Sequence, residues 1–397
     1  MKKILGLSSI PIDENLGAGA ERIGNLYRWL PESYERALVS LTGIRGRTGE
    51  AQLPGNVREI RLRSPVQTLF YYLEKLRILP FFEVARAHRR FHPRRVRRLI
   101  EGCDLVQFDS LWLTPWMRLV RPGVPVVYGS HNFETDWYEG EIRRYPFPRA
   151  HARTLDALER DAVRRAGRVL AVTEEDRGKF TRAFGVDERK IVVVPNGFDD
   201  ERFHPATEEE KLEIRGRIGL PAAARIALFA GSDVLPNKDA VESILRAIAP
   251  RAPEGTLIVV AGSVGRSYAR SASDRVLFTG RVPDIVPYFR AADVGLNPIR
   301  FGSGSNIKVL QYLGCGLPVI STPFGMRGFE ELQEHVTVAR IDRFSYHLDR
   351  AGPDAEAALL ARERQGWCNV SLILAGVYAY LLGGGAGGAD WAGSGAP

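Results

Sequence analysis

Short runs of β-branched and aliphatic residues alternate with polar or amphipathic stretches along almost the whole chain. No other feature restricts its fold as much. In the first half the runs are ILGLSSI, ALVSLTG, VREIRL, DLVQF, VPVVYG, RVLAVTEED and KIVVVP; in the second they are RIALFAG, TLIVVAG, RVLFTG, DVGLNP and LPVIST. Helices are expected between them at about 21–30, 149–165 and 237–247, and Thr173 is placed to cap a helix whose first turn carries Glu174, Glu175 and Asp176. Strands joined by helical stretches need crossover connections, which give a parallel sheet. A polar joint, FDDERFHPATEEE, interrupts the series near residues 198–210. At 397 residues the chain exceeds one ordinary core and suits two domains. The expectation is an α/β protein with two Rossmann-like domains facing a cleft, the first spanning 1–200 and the second 205–367. Ligands are expected at the carboxyl ends of the strands. The closing run GGGAGGADWAGSGAP, residues 383–397, has too few apolar groups for a core and is expected to be disordered.

Composition limits the setting. Hydrophobic residues make up 45% and charged residues 26%, as in globular proteins, and no run approaches the ~20 apolar residues of a membrane span. The opening MKKILGLSSIPID reads better as a first buried strand than as a leader. Cys103, Cys315 and Cys368 form neither a disulfide framework nor a metal-ligand spacing, which points to a reducing, cytoplasmic setting. The net charge of +8 is uneven: residues 86–98, RAHRRFHPRRVRR, hold seven arginines and no acid, just after the aromatic run LFYYLEKLRILPFF. Residues 69–98 therefore read as a surface for an anionic membrane, at its inner face, or for a lipid-linked substrate. A solvated basic helix beside a core segment accounts for the same residues. Nucleic acid is the disfavoured partner for these arginines.

Residues 301–325, FGSGSNIKVLQYLGCGLPVISTPFG, read as loop, helix, tight turn, buried strand and loop. A small-residue turn at a helix opening presents amides without intrahelical acceptors, which suits a phosphate or diphosphate. An ordinary helix cap in an enzyme core is the bland alternative.

With five further segments this block resembles the retaining GT-B glycosyltransferases of family 4, also called glycosyl transferases group 1. In order, the segments are the glycine-alanine run 17–20 followed by Glu21 and Arg22; SHNFE at 130–134; VPNGFD at 194–199; FAG at 229–231 with Pro236, Asn237 and Lys238; and FTG at 278–280. The resemblance covers about residues 1–382 and implies that a helix at 368–382 crosses back onto the first domain.

The resemblance also implies a donor, a nucleoside-diphosphate sugar held mainly by the second domain, and a glycan, polysaccharide or lipid-linked acceptor on the first. No cofactor and no metal are expected; the departing phosphate would take the acceptor proton, with retention at the anomeric carbon. Lys238 matches the lysine that meets the diphosphate. Ser303, Gly304, Ser305 and Asn306 would cradle the diphosphate. Gln311 would reach the ribose, Arg281 and Val282 would border the base, and Gly19 would leave room for the reacting sugar. His131 matches a histidine beside the donor sugar, with Glu134 and Arg22 as weaker candidates. Asn297, Pro298 and Ile299 would wall the sugar. Ser303 stands where typical relatives carry a first glutamate, which relatives with the GSG form also lack, and two further positions depart from the pattern. Asp233 stands where relatives carry an arginine, and Gln311 where they carry a glutamate. A same-fold epimerase or phosphorylase-like enzyme, and a degenerate nucleotide-sugar-binding subunit, are therefore alternative readings. A dinucleotide oxidoreductase is disfavoured, because no GxGxxG follows the first strand.

Overall fold

The computed structural model describes residues 1–12, 18–302, 304–352 and 354–383. The chain divides into two units, Met1–Pro195 with Val370–Pro397, and Asn196–Asn369.

The first unit holds an eight-stranded sheet in the order β3-β4-β2-β1-β5-β6-β7-β8. Its strands are β1 (Lys2–Ser8), β2 (Tyr34–Thr42), β3 (Gly49–Leu53), β4 (Val57–Arg63), β5 (Leu105–Phe108), β6 (Val126–Gly129), β7 (Arg168–Ala171) and β8 (Ile191–Val193). Every pairing is parallel except β3 with β4. The central strands are covered on both faces, so β1 is buried continuously from Ile4 to Ser8, as parallel strands require. The edge strand β3, GEAQL, has almost no β-branched residues and escaped the sequence pattern; it pairs by hairpin with β4 instead of burying a face.

The second unit holds six parallel strands in the order β11-β10-β9-β12-β13-β14. These are β9 (Arg225–Ala230), β10 (Thr256–Ala261), β11 (Val276–Gly280), β12 (Val294–Asn297), β13 (Val319–Ser321) and β14 (Val336–Val338). Alternate residues of β9 feed two separate cores: Ile226 and Leu228 join one cluster, Ala227 and Phe229 the other.

Three local expectations need correction. The first helix spans Ala18–Arg28, so Gly19 and Ala20 are helical and not part of a loop before it; Gly17 lies outside the described residues. The helix expected at 237–247 runs over Leu235–Ser243, with Pro236 in its first turn, and continues as a π turn over Ile244–Ile248. Residues 69–98 are not one surface. Phe82, Val84 and Ala85 are core, whereas the helix Arg94–Glu101 buries only Val96 and Ile100 and turns its arginines outward. Thr173 caps its helix as the sequence implies, accepting from the Asp176 amide. Residues 384–397 of the glycine-rich run lie outside the described residues.

Candidate active site

In the second unit the carboxyl ends of β9, β10 and β11 are stitched by backbone contacts. The Gly231 amide donates to Ala261 O at 2.9 Å, and the Gly262 amide to Gly280 O at 3.1 Å. Gly262 has φ +105°, and a Cβ there would lie 2.4 Å from Gly231 O, so only glycine lets these two loops touch. The result is a shelf of backbone, beside which the helix Leu235–Ser243 begins.

The loop before the helix Lys308–Gly314 closes the other side. A Cβ on Gly302 would lie 3.3 Å from Pro236 Cγ. Asn306 Nδ2 donates to Gly325 O at 3.2 Å, and the Arg327 guanidinium donates through Nε to Gly304 O at 3.1 Å. Asn196 Nδ2 donates to Ser305 Oγ at 3.0 Å, which leaves the Ser305 hydroxyl proton to donate elsewhere. Ser303 lies outside the described residues. The helix opens at Lys308, later than the small-residue turn implies, and the Val309 amide is already taken by Asn306 O at 2.9 Å. Gln311 is half-buried and Arg281 exposed, and neither has a side-chain partner among the described residues; Val282 is half-buried beside Arg281.

The cations on this shelf differ in kind. Lys238 Nζ lies 3.0 Å from Asp233 Oδ1, both groups partly exposed. The acid that replaces the family arginine thus holds the family lysine. Lys308 is different. Its Nζ donates to Asn237 Oδ1 at 2.9 Å and sits 4.3 Å from the centre of the Phe229 ring. Asn237 is in turn fixed by donating to Ser232 O at 2.9 Å. No carboxylate pairs with Lys308 among the described residues, and burial lowers its pKa to about 7. An amine in this state gains a full charge when an anion arrives. Lys308 lies inside the 301–325 block, but its surroundings come from Phe229 and Asn237 in other segments and carry no local sequence signal.

In the first unit His131 follows β6. Its Nε2–H donates to Asp109 O at 2.9 Å, so the neutral ring keeps Nδ1 as a free acceptor. Burial, and then the Arg22 charge, lower its pKa to about 4. Arg22 donates to Val194 O and Pro195 O, both at 2.6 Å. Glu134 is buried, and burial, then Glu159 and Asp176, raise its pKa well above the usual range. The loop carrying His131 is fixed by Glu159, whose carboxylate accepts from the Glu134 amide at 2.8 Å, the Thr135 amide at 3.2 Å and Thr135 Oγ1 at 2.9 Å.

Asp109 follows β5 and is 2% exposed. Its carboxylate accepts from Gln107 Nε2 at 2.6 Å and from the Tyr27 hydroxyl at 3.0 Å, and Gln107 accepts from the Tyr378 hydroxyl at 2.8 Å. Burial raises the Asp109 pKa from 3.8 to about 6, against the hydrogen bonds and Arg22. A folded-state pKa above the unfolded value means that stability is fully present below about 3.8 and is lost as pH rises through about 6. The difference in unfolding free energy between the parent and Asp109→Asn should therefore shift by roughly 2.5 kcal/mol between pH 4 and pH 7, most of the full effect at 1.36 kcal/mol per pKa unit, the parent losing ground. Urea titrations across that range measure it, and a flat difference would refute the protonation assigned to Asp109.

Two parallel-sheet units, each with its polar groups at the strand carboxyl ends, define the GT-B class. Solved structures agree: a sucrose-phosphate synthase from Thermosynechococcus elongatus covers 96% of this chain and 100% of its own at TM-score 0.70 and 17% identity, and Anabaena Alr3699/HepE, solved with UDP, covers 95% and 99% at TM-score 0.65 and 16% identity. Residues 53–202 match the model of Glycosyltransferase Family 4, and residues 224–348 that of Glycosyl transferases group 1. The chain belongs to this glycosyltransferase family. Among curated relatives it is 28% identical over 315 residues to a D-inositol 3-phosphate glycosyltransferase of Streptomyces bingchenggensis, 70% of this chain and 67% of that one. To the protein of that description from Streptomyces scabiei it is 29% identical over 245 residues, 56% and 53%. The chain thus spans between about half and two thirds of the length of these relatives.

Proposed function

We propose that the protein transfers a sugar from a nucleoside-diphosphate sugar to a glycan, polysaccharide or lipid-linked acceptor, with retention at the anomeric carbon. The observation that carries the reading is Lys308, a half-buried lysine whose amine has no carboxylate partner among the described residues, beside the backbone shelf at the ends of β9 to β11. A diphosphate supplies the negative charge this lysine lacks. The same charge grows on the leaving group during transfer, so the contact is stronger in the transition state than in the ground state. Lys238 joins it once the diphosphate competes with Asp233. These cations take the role that a divalent ion plays elsewhere, and the departing phosphate takes the acceptor proton. His131, neutral above about pH 4, accepts a hydroxyl of the donor sugar at Nδ1. Gln311 reaches the ribose through a neutral amide, and Arg281 with Val282 borders the base.

A panel of nucleotide sugars, read by release of nucleoside diphosphate and by NMR of the anomeric product, tests this reading. One donor should turn over with retained configuration, at a rate unchanged by EDTA. Turnover with inversion, or loss of activity on chelation, would refute the mechanism. A second reading, a subunit that binds nucleotide sugar without turning it over, draws on the pairing of Lys238 with Asp233. It predicts donor binding with no release of nucleoside diphosphate under any acceptor.

A further inference from the structure

A cavity of about 240 Å³ opens in the first unit beyond the carboxyl ends of β2 and β4. That is below the ~300–1,000 Å³ of sites that enclose a whole small molecule, so it suits one end of a ligand. Leu41, Val66 and Trp116 form its apolar wall, and Phe91, 62% exposed, stands at its rim. Its charged and titratable lining is Arg63, Arg90, His88 and His92, with no carboxylate among the lining residues. Both arginines are exposed and form no ion pair among the described residues. His88 is 2% exposed; its Nδ1–H donates to Trp112 O at 2.9 Å, which leaves Nε2 buried as an acceptor with no partner among the described residues.

The helix that starts at the cavity carries exposed apolar residues beside its half-buried Val66, Phe70 and Leu73. Pro65–Lys75 buries Gln67 and exposes Leu69 and Tyr72, and Leu76 just beyond it is 69% exposed. From Pro65 on the cavity wall these residues recur at intervals of four, three and four, which makes one apolar stripe leading outward. A soluble surface gains nothing from that stripe, whereas an aliphatic chain lying on it leaves water.

We propose that this cavity seats the phosphate of an anionic lipid, held by Arg63 and Arg90, while its chain runs along Leu69, Tyr72 and Leu76. A phosphate monoester carrying one proton also supplies the donor that His88 Nε2 lacks. The proposal deepens the lipid-linked acceptor named above and rests on that reading.

Calorimetry on the full chain, with decyl phosphate below its micellar concentration, tests it. One decyl phosphate should bind per chain, and inorganic phosphate and decyl maltoside should each bind at least roughly tenfold more weakly. The double variant Arg63→Ala/Arg90→Ala should lose at least roughly tenfold in affinity for decyl phosphate. Arg94→Ala/Arg98→Ala, on the exposed helix outside the cavity lining, should bind like the parent. Absence of binding, equal binding of decyl maltoside, inorganic phosphate binding as tightly as decyl phosphate, or an unaffected cavity variant would each overturn the proposal. Nucleoside diphosphate affinity measured on the same samples separates the two claims. Its retention alongside a failed lipid titration sinks only the cavity, and its absence in the parent sinks the donor reading.

Discussion

Lys308→Met is expected to lower donor turnover by at least roughly 100-fold, as removal of a single transition-state charge donor does elsewhere. The folded protein should be no less stable than the parent. Lys308 has burial, the Phe229 ring and the Asn237 amide around it, and no counter-charge among the described residues. Its folded-state pKa of about 7 lies below the ordinary 10.5. The unfolded chain therefore binds more protons than the folded one between those values, so this group costs stability most below pH 7 and less as pH rises. Methionine fills similar space without that cost. Loss of activity with retained or raised stability separates a functional role from a structural one. A second consequence concerns pH. A bound diphosphate favours the charged amine, so nucleoside diphosphate affinity should be greatest below pH 7 and fall as pH rises above it, with proton uptake visible in buffers of different ionisation enthalpy. In Lys308→Met both the uptake and the decline should vanish.

Glu159→Ala should destabilise the first unit by about 3–5 kcal/mol, the largest effect expected from any single side chain in the His131 region. One carboxylate there satisfies two amides and one hydroxyl, all at the opening of the helix Glu134–Ile142. Truncation leaves the buried Glu134 amide without an acceptor, and the half-buried Thr135 amide and hydroxyl lose theirs as well, around a side chain that is itself fully enclosed. Asp156→Ala on the same helix removes a half-exposed ion pair with Arg160 and should change stability by less than about 1 kcal/mol. Urea unfolding of the two variants side by side makes the comparison. Equal effects would mean that Glu159 does not hold the loop. Because that loop carries His131, Glu159→Ala should also raise KM for the donor before the protein unfolds.

How far the sequence reached follows from what each signal depends on. The β-branched runs of β1, β9 and β10 are legible because a strand buried on both faces must be apolar at every position. The hairpin strand β3 is not, because an edge strand carries no such requirement. The positions of Lys238, Arg281 and Gln311 are marked by the recognisable strands that precede them. Glu159 could not be read, since an acid inside an amphipathic helix looks solvated until the packing against the 130–135 loop is known. Asp109 was more accessible: a carboxylate directly after the buried run DLVQF stands where an α/β sheet places its polar groups. Lys308 needed the ring of Phe229 and the side chain of Asn237, which come from other segments of the unit. The apolar run over Pro65–Lys75 is visible as composition, but only the exposure of Leu69, Tyr72 and Leu76 shows that part of it faces water.

The central claim is that a pyrophosphate is met by Lys308 and Lys238 beside the Gly231–Gly262 contact. A crystal structure of the protein with a nucleoside-diphosphate sugar tests it most directly. The account predicts phosphate oxygens within hydrogen-bonding distance of Lys308 Nζ, with Lys238 released from Asp233; a nucleotide bound elsewhere, with the Lys238–Asp233 pair intact and Lys308 untouched, would contradict it.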